Sequence, residues 1–193
     1  ASGSFATVPG GYLNSAGGAY SFAAGTQARA LNPGAFVWSD PHGSFSSTRD
    51  DQFLVRASGG ITLYTTSVAV DGNSIAAGAS LYSGSGSWNN LSNKNLKTNF
   101  ADVDSRAILE RVRELPITTW NYKTQDESIR HIGPMAQDFA AAFKVGENDT
   151  TISTVDAQGV ALAAIQGLAQ ENKELKEKNE QELKELGELK ERN

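Results

Sequence analysis

A serine and a lysine five residues apart form the pair in this sequence best suited to covalent chemistry. Residues 91–100 read LSNKNLKTNF, which places the hydroxyl of Ser92 and the amine of Lys97 in one polar stretch. A serine hydroxyl becomes a nucleophile when a neighbouring base removes its proton, and a lysine can be that base when its amine is neutral. Burial would favour the neutral amine. The pair therefore indicates a candidate Ser-Lys dyad.

The spacing sets a condition on the backbone. Residues five apart point to opposite faces of a strand and lie about 140° apart on an α-helix. The two side chains can meet only if residues 92–97 turn or coil. If they do not, the stretch is a polar linker between two domains.

Bulk composition excludes several classes of protein. The net charge of −5 over 193 residues argues against nucleic-acid binding, and no apolar run is long enough to span a membrane. Without cysteine there are no disulfides or thiolate metal sites, and two distant histidines suggest neither a metal centre nor a cofactor. The first residues lack the basic and apolar regions of a signal peptide.

The composition divides the chain into three predicted regions. Residues 1–90 contain 14 of the 19 glycines and few charges, which predicts a β-rich fibre or adhesin-head segment. Residues 91–156 have the mixed composition of a small α+β domain. Residues 157–193 have a helical pattern that ends in a dense run of Glu and Lys. The predicted fold class is therefore mixed.

Glycines in the first region recur with a period of seven, at Gly11, Gly18 and Gly25. Small alternating residues between tight turns suit short strands that stack on the next coil, because one such unit cannot bury its own apolar face. A Gly-rich disordered linker is the alternative. The stretch NSAGGAYSFAAGTQARA resembles the head repeats of YadA-type trimeric adhesins. That resemblance implies a left-handed parallel β-roll of three chains over residues 8–38.

In the middle region, Asp104 is the predicted N-cap of a helix that Pro116 ends. The stretch ITTWNYK predicts a strand, and HIGPMAQDFAAAF predicts a turn followed by a helix with Pro134 at its first position.

The last region fits heptads and predicts a parallel trimeric coiled coil, with a lone solvated helix as the alternative. Asparagine at core positions would fix the register at a cost in stability. The predicted trimer core consists of Ile165, Leu168, Asn172, Leu175, Asn179 and Leu186, and Asn193 continues one of its two core positions.

The order of these elements over residues 91–175 resembles the peptidase S74 family, the intramolecular chaperone domain of endosialidases and phage tail spikes. Ser92 and Lys97 match its proposed dyad and Leu96 matches its apolar position, whereas Asn93 stands where Asp is usual. The resemblance implies a chaperone that trimerises, assists the folding of an upstream β-rich fibre and cuts itself once between Leu91 and Ser92.

The resemblance also suggests supporting residues. The oxyanion could be bound by backbone N–H groups near Asn93 or by His131, which is otherwise structural. Gln137 and Asp138 match an Ala-Gln-Glu/Asp element that we interpret as scaffolding or an inter-chain polar contact. A carboxylate that could orient or polarise the dyad is missing at residue 93, which favours an intact bond between Leu91 and Ser92.

Two other functions stay open. The chain could be a non-cleaving trimeric adhesin that binds a cell-surface glycan or receptor, with its C-terminal part only a trimerisation clamp. A conventional serine hydrolase is disfavoured because the sequence contains no G-x-S-x-G element. The chaperone and the adhesin both predict a location on a bacterial surface or in a phage fibre.

Overall fold

The computed structural model describes residues 1–66 and 77–192, so Asn193 lies outside the described residues. The chain forms two compact units, Ala1–Thr98 and Asn99–Asn193. The sequence placed a domain boundary at residues 90/91, eight residues earlier. Leu91 still belongs to the first unit because its backbone N–H donates to the carbonyl of Gly78 at 3.0 Å.

The first unit begins with a solenoid of short parallel strands in two stacks. One stack consists of β1 (Gly11–Tyr12), β3 (Phe22–Thr26), β5 (Phe36–Ser39) and β7 (Phe53–Arg56). The other consists of β2 (Ser15–Ala16), β4 (Ala28–Ala30) and β6 (Phe45–Ser46). Gly11 is in register with Gly25, and Gly25 with Ser39. One coil of the solenoid therefore contains 14 residues here, and the seven-residue repeat is half a coil.

Small side chains fill the solenoid. Ala16, Ala23, Ala28, Ala30 and Val37 are fully buried. The coils stack so closely that a Cβ added to Gly18 would lie 2.0 Å from the carbonyl oxygen of Asn32. This part of the chain is therefore a stacked β-rich structure, and the disordered-linker alternative is wrong for it.

The first unit continues with a three-stranded antiparallel sheet. Its strands are β8 (Gly60–Tyr64), β9 (Gly78–Tyr82) and β10 (Asn89–Asn90), with β9 in the centre. Asn90 pairs with Ala79, so the strand that leads into the serine-lysine stretch is fixed at its sheet.

The second unit contains three helices and a hairpin. In chain order these are α1 (Ser105–Glu114), β11 (Thr118–Trp120), β12 (His131–Gly133), α2 (Ala136–Phe143) and α3 (Thr154–Glu191). Asp104 caps α1, as predicted, by accepting from the backbone N–H groups of Arg106 and Ala107 at 3.0 Å. The predicted start of α2 at Pro134 is wrong by two residues, because His131–Gly133 pairs with β11 and Met135 becomes the N-cap.

Helix α1 packs closely on α3. Ala164 and Gly167 are the buried residues of α3, and a Cβ on Gly167 would lie 2.4 Å from the carbonyl oxygen of Ser105. Leu109 of α1 is buried over the same surface, with its Cβ 3.1 Å from that added atom. A stripe of small residues on α3 therefore determines how α1 approaches it. Among the described helices, none combines the length and the apolarity needed to cross a membrane.

Candidate functional site

The stretch that contains Ser92 and Lys97 forms a single helical turn. After β10, residues Lys94–Leu96 form one turn of 3-10 helix. The N–H of Leu96 donates to the carbonyl of Asn93 at 3.1 Å, and the N–H of Lys97 donates to the carbonyl of Lys94 at 3.1 Å. The backbone thus has the turn that the five-residue spacing requires.

This turn brings the two side chains of the predicted dyad together. The Nζ of Lys97 lies 2.6 Å from the Oγ of Ser92 and donates a hydrogen bond to it. To act as a base, the amine would have to lose a proton and accept the proton of the same hydroxyl. The geometry of nucleophile and base is therefore present within one chain.

The single chain does not supply the condition that would favour a neutral amine. Ser92 and Lys97 are both exposed, so the lysine amine is not buried in the single chain. The cause is local: the turn contains no buried residue, and even Leu96 is only half-buried. Any exclusion of water from the amine has to come from a surface outside these residues.

The side chain of Asn93 contacts the backbone of the turn, whereas a carboxylate at this position was considered as a group that orients or polarises the dyad. Asn93 is the N-cap of the turn, and its Oδ1 accepts a hydrogen bond from the backbone N–H of Asn95 at 3.0 Å. The side chain therefore holds the backbone of the turn that lies between Ser92 and Lys97.

The three other predicted supporting residues lie in the second unit. The Nε2 of His131 lies 2.9 Å from the Oε1 of Gln125, and its ring packs on Trp120 with ring centroids 4.7 Å apart. These contacts give His131 a structural role within its own unit. Gln137 is exposed and Asp138 half-buried, both in the first turn of α2. A role for His131 at the oxyanion stays a prediction.

The predicted core residues of the coiled coil form an exposed stripe on α3. Ile165 is 61% exposed and Leu175 58%, and Leu168, Asn172, Asn179 and Leu186 are exposed as well. The stripe lies beside the one that Ala164 and Gly167 present to α1. Helix α3 thus carries one face that α1 covers and a second, mostly apolar face that is exposed to solvent.

Sequence reasoning missed a charged network in the solenoid. Asp40 is 10% exposed and accepts from the Nε of Arg56 at 3.0 Å and from the N–H of Ser58 at 2.6 Å. Hydrogen bonds from Ser58, with a further one from Arg56, hold the pKa of Asp40 well below its ordinary value. These partners lie 16 to 18 residues away, which corresponds to no motif spacing in the sequence. Within residues 1–66 and 77–192, no cluster of His, Asp and Glu could hold a metal ion.

One comparison with known proteins bears on this site. Residues 92–145, a little over a quarter of the chain, match the model of the Peptidase_S74 family, described as the chaperone of endosialidase. The matched segment begins at Ser92 and includes Lys97, which confirms the resemblance predicted from the sequence for this segment. It indicates an intramolecular chaperone role. Comparisons with curated proteins and with solved structures gave no significant match. The YadA-like head repeats stay a prediction.

Proposed function

We propose that this chain is a trimeric intramolecular chaperone that assists the folding of a β-rich surface or tail fibre and then cleaves itself once between Leu91 and Ser92. The observation that carries this proposal is the 2.6 Å contact between Lys97 Nζ and Ser92 Oγ, at the first residue of the segment that resembles the endosialidase chaperone.

The reaction begins when Lys97 removes the hydroxyl proton of Ser92. The Oγ attacks the carbonyl carbon of Leu91, and the bond from that carbon to the nitrogen of Ser92 breaks. The nitrogen leaves with the proton held by Lys97, which produces an ester and a free amine. Water then hydrolyses the ester, so the products are a carboxylate at Leu91 and a new chain that begins at Ser92.

Charge placement on α3 supports parallel assembly. In the heptad phase of the exposed stripe, one flank of the core carries Glu171, Lys178 and Glu185, and the other carries Lys176, Leu183 and Lys190. In parallel, in-register helices Glu171 faces Lys176 and Glu185 faces Lys190 of a neighbouring chain, whereas Lys178 faces Leu183. In an antiparallel pair, the flank with Lys176 and Lys190 would instead face the same flank of the partner helix, so like charges would meet.

Assembly would also provide what the single chain lacks at the dyad. An upstream fibre of three chains has long-range β-closure to complete, and bringing the chains together first lowers that entropic cost. A neighbouring chain that covers Lys97 would exclude water and favour its neutral form. Cleavage would then follow assembly, and no external substrate or cofactor takes part.

The test is the intact mass of purified full-length protein during prolonged incubation. The wild type is expected to release a fragment that begins at Ser92. Ser92→Ala removes the nucleophile and Lys97→Ala the base, and Lys97→Arg keeps the charge but stays protonated, so all three should remain full-length. Lys94→Ala, a lysine in the same turn, should cleave like the wild type.

A wild type that stays intact as a trimer under all conditions would contradict the cleavage half of the proposal. Fragments that persist in Ser92→Ala would contradict the nucleophile. Two bands in the wild type and one in the three dyad variants would support it.

The second candidate function is a non-cleaving adhesin tip that binds a glycan. It is favoured by an exposed aromatic pair in the solenoid, because the rings of Phe5 and Tyr20 stack 5.3 Å apart while 80% and 69% of these residues are exposed. Aromatic faces are common platforms for ligands. A glycan array should then lose signal with Tyr20→Ala, while Ser92→Ala has no effect on it.

A further inference from the structure

We infer that Asn93 is a positioning residue: its carboxamide caps the turn that delivers Lys97 to Ser92, so no charge is needed at this position. This inference deepens the proposed function and rests on it for its kinetic consequence. It concerns a residue that stands between the nucleophile and the base and touches the backbone of the turn.

The hydrogen bonds of the turn carry the inference. Asn93 contributes twice: its Oδ1 accepts from the N–H of Asn95 at 3.0 Å, and its carbonyl accepts from the N–H of Leu96 at 3.1 Å. The turn ends when the N–H of Lys97 donates to the carbonyl of Lys94 at 3.1 Å. These bonds hold the backbone between Ser92 and Lys97 in a turn, and the Nζ of Lys97 then lies 2.6 Å from the Oγ of Ser92.

In the single chain, packing contributes little to holding the turn. None of the residues Lys94–Leu96 is buried, so the turn is held mainly by local hydrogen bonds. A 3-10 turn this short has little intrinsic stability of its own. Removing the side-chain acceptor should therefore widen the distribution of distances between the lysine amine and the serine hydroxyl.

The chemistry of capping explains why an amide suffices. Asn, Asp and Ser are about equally good N-caps, since each presents an oxygen to the free N–H groups, whereas Ala presents none. If residue 93 acts through this oxygen, Asp and Ser should replace Asn. If it acted through charge on the amine, Asp should differ from both Asn and Ser.

The experiment measures the first-order rate of fragment release from the full-length protein in a series at residue 93. Asn93→Asp and Asn93→Ser should cleave at about the wild-type rate, and Asn93→Ala about fivefold more slowly. Asn95→Ala is the matched control, because it removes a side chain from the same turn but keeps the N–H that the cap binds. Trimer mass and unfolding temperature should be unchanged throughout.

The pH dependence of the rate separates positioning from charge. The pH of half-maximal rate should be the same in the wild type, Asn93→Asp and Asn93→Ser. An Asp variant that is much faster than the others, or whose profile is shifted, overturns the inference. A Ser variant as slow as the Ala variant overturns it too.

A second measurement keeps the inference independent of cleavage. In the Ser92→Ala background, which the proposal expects to stay intact, the hydrogen exchange of the Asn95 amide should accelerate with Asn93→Ala and stay slow with Asn93→Ser. Unchanged exchange in the Ala variant overturns the inference even if cleavage occurs. A wild type that never cleaves refutes the proposed cleavage, and this exchange result alone then decides the role of Asn93.

Discussion

The two units of the chain bury their apolar residues in different ways. In the solenoid of the first unit, Ala16, Ala23, Ala28, Ala30 and Val37 have no exposed surface, because each coil covers the next. In the second unit the buried apolar residues are fewer and larger, and the long helix α3 leaves a whole apolar stripe in contact with solvent. The first unit buries its core within one chain, whereas the second unit leaves part of its apolar surface exposed.

The difference shows what each kind of residue spacing can accomplish alone. Alanine and serine at strand positions allow coils to stack within one chain, where backbone pairing and close approach supply the contacts. The leucine and isoleucine side chains of the exposed stripe on α3 are not covered by another element of the chain. Burying them against a second helix would therefore stabilise an assembly. Four experiments test this difference between the two units.

The largest expected effect is on assembly. Replacing Ile165 and Leu168 together by Asp places charge in the exposed stripe of α3, so the mass by light scattering should fall from that of a trimer to that of a monomer. The helical signal of the second unit should be mostly retained, because Ala164 and Gly167 still face α1. A control with Gln170→Asp and Lys184→Asp, on the far side of the helix, should remain trimeric. A wild type with monomer mass would refute the prediction at once.

The next effect concerns the stacking of the solenoid. Gly18→Ala adds a Cβ that would lie 2.0 Å from the carbonyl oxygen of Asn32 and 2.2 Å from its carbon, so the coils must separate. We expect a loss of about 3 kcal/mol in the free energy of unfolding, at the upper end for overpacking. Urea unfolding followed by circular dichroism measures it. Gly59→Ala, where nothing lies within 4 Å of the added Cβ, is the control and should change little.

Two glycine substitutions in helix α3 should change the free energy of unfolding by smaller amounts and in opposite directions. Gly167→Ala would bring its Cβ within 2.4 Å of the backbone of α1, and should cost about 2 kcal/mol. Gly159→Ala lies in the same helix with nothing within 4 Å, and should stabilise by about 0.5 to 1 kcal/mol. Thermal unfolding of the two variants in parallel gives the comparison. If both stabilise, the close packing of α1 on α3 is wrong.

The smallest effect is a pH dependence in the solenoid. Hydrogen bonds from Ser58, together with Arg56, lower the pKa of Asp40, so the stabilisation by this carboxylate is complete above its ordinary pKa of about 4. It is lost as the pH falls from there toward the lower pKa of the folded state. The unfolding temperature of the wild type should therefore fall more between pH 5 and pH 3 than that of Asp40→Asn. Asp50→Asn, at an exposed position, should keep the wild-type profile.

Local features of the structure could be predicted from the sequence. The cap at Asp104, the end of α1 before Pro116, the hairpin strand around Trp120 and the long C-terminal helix each depend on residues within a few positions of one another. The resemblance of residues 92–145 to the endosialidase chaperone was also visible from the order of short elements. Such signals persist because backbone propensity and capping act over one turn of chain.

Contacts between distant residues were decided by the tertiary structure. The sequence contained a seven-residue repeat, but only the register of Gly11 with Gly25 shows that 14 residues complete a coil. The network around Asp40 likewise joins residues one coil apart, and only close stacking brings them together.

The amino-acid sequence alone shows that a serine and a lysine share one polar stretch and that α3 carries a mostly apolar heptad stripe. The structure adds that a turn capped by Asn93 brings Lys97 to Ser92, and that α1 covers the stripe of small residues on α3. The physical reason is that composition and spacing restrict which side chains can meet, whereas the path of the backbone and the room left by neighbouring elements select the contacts that form.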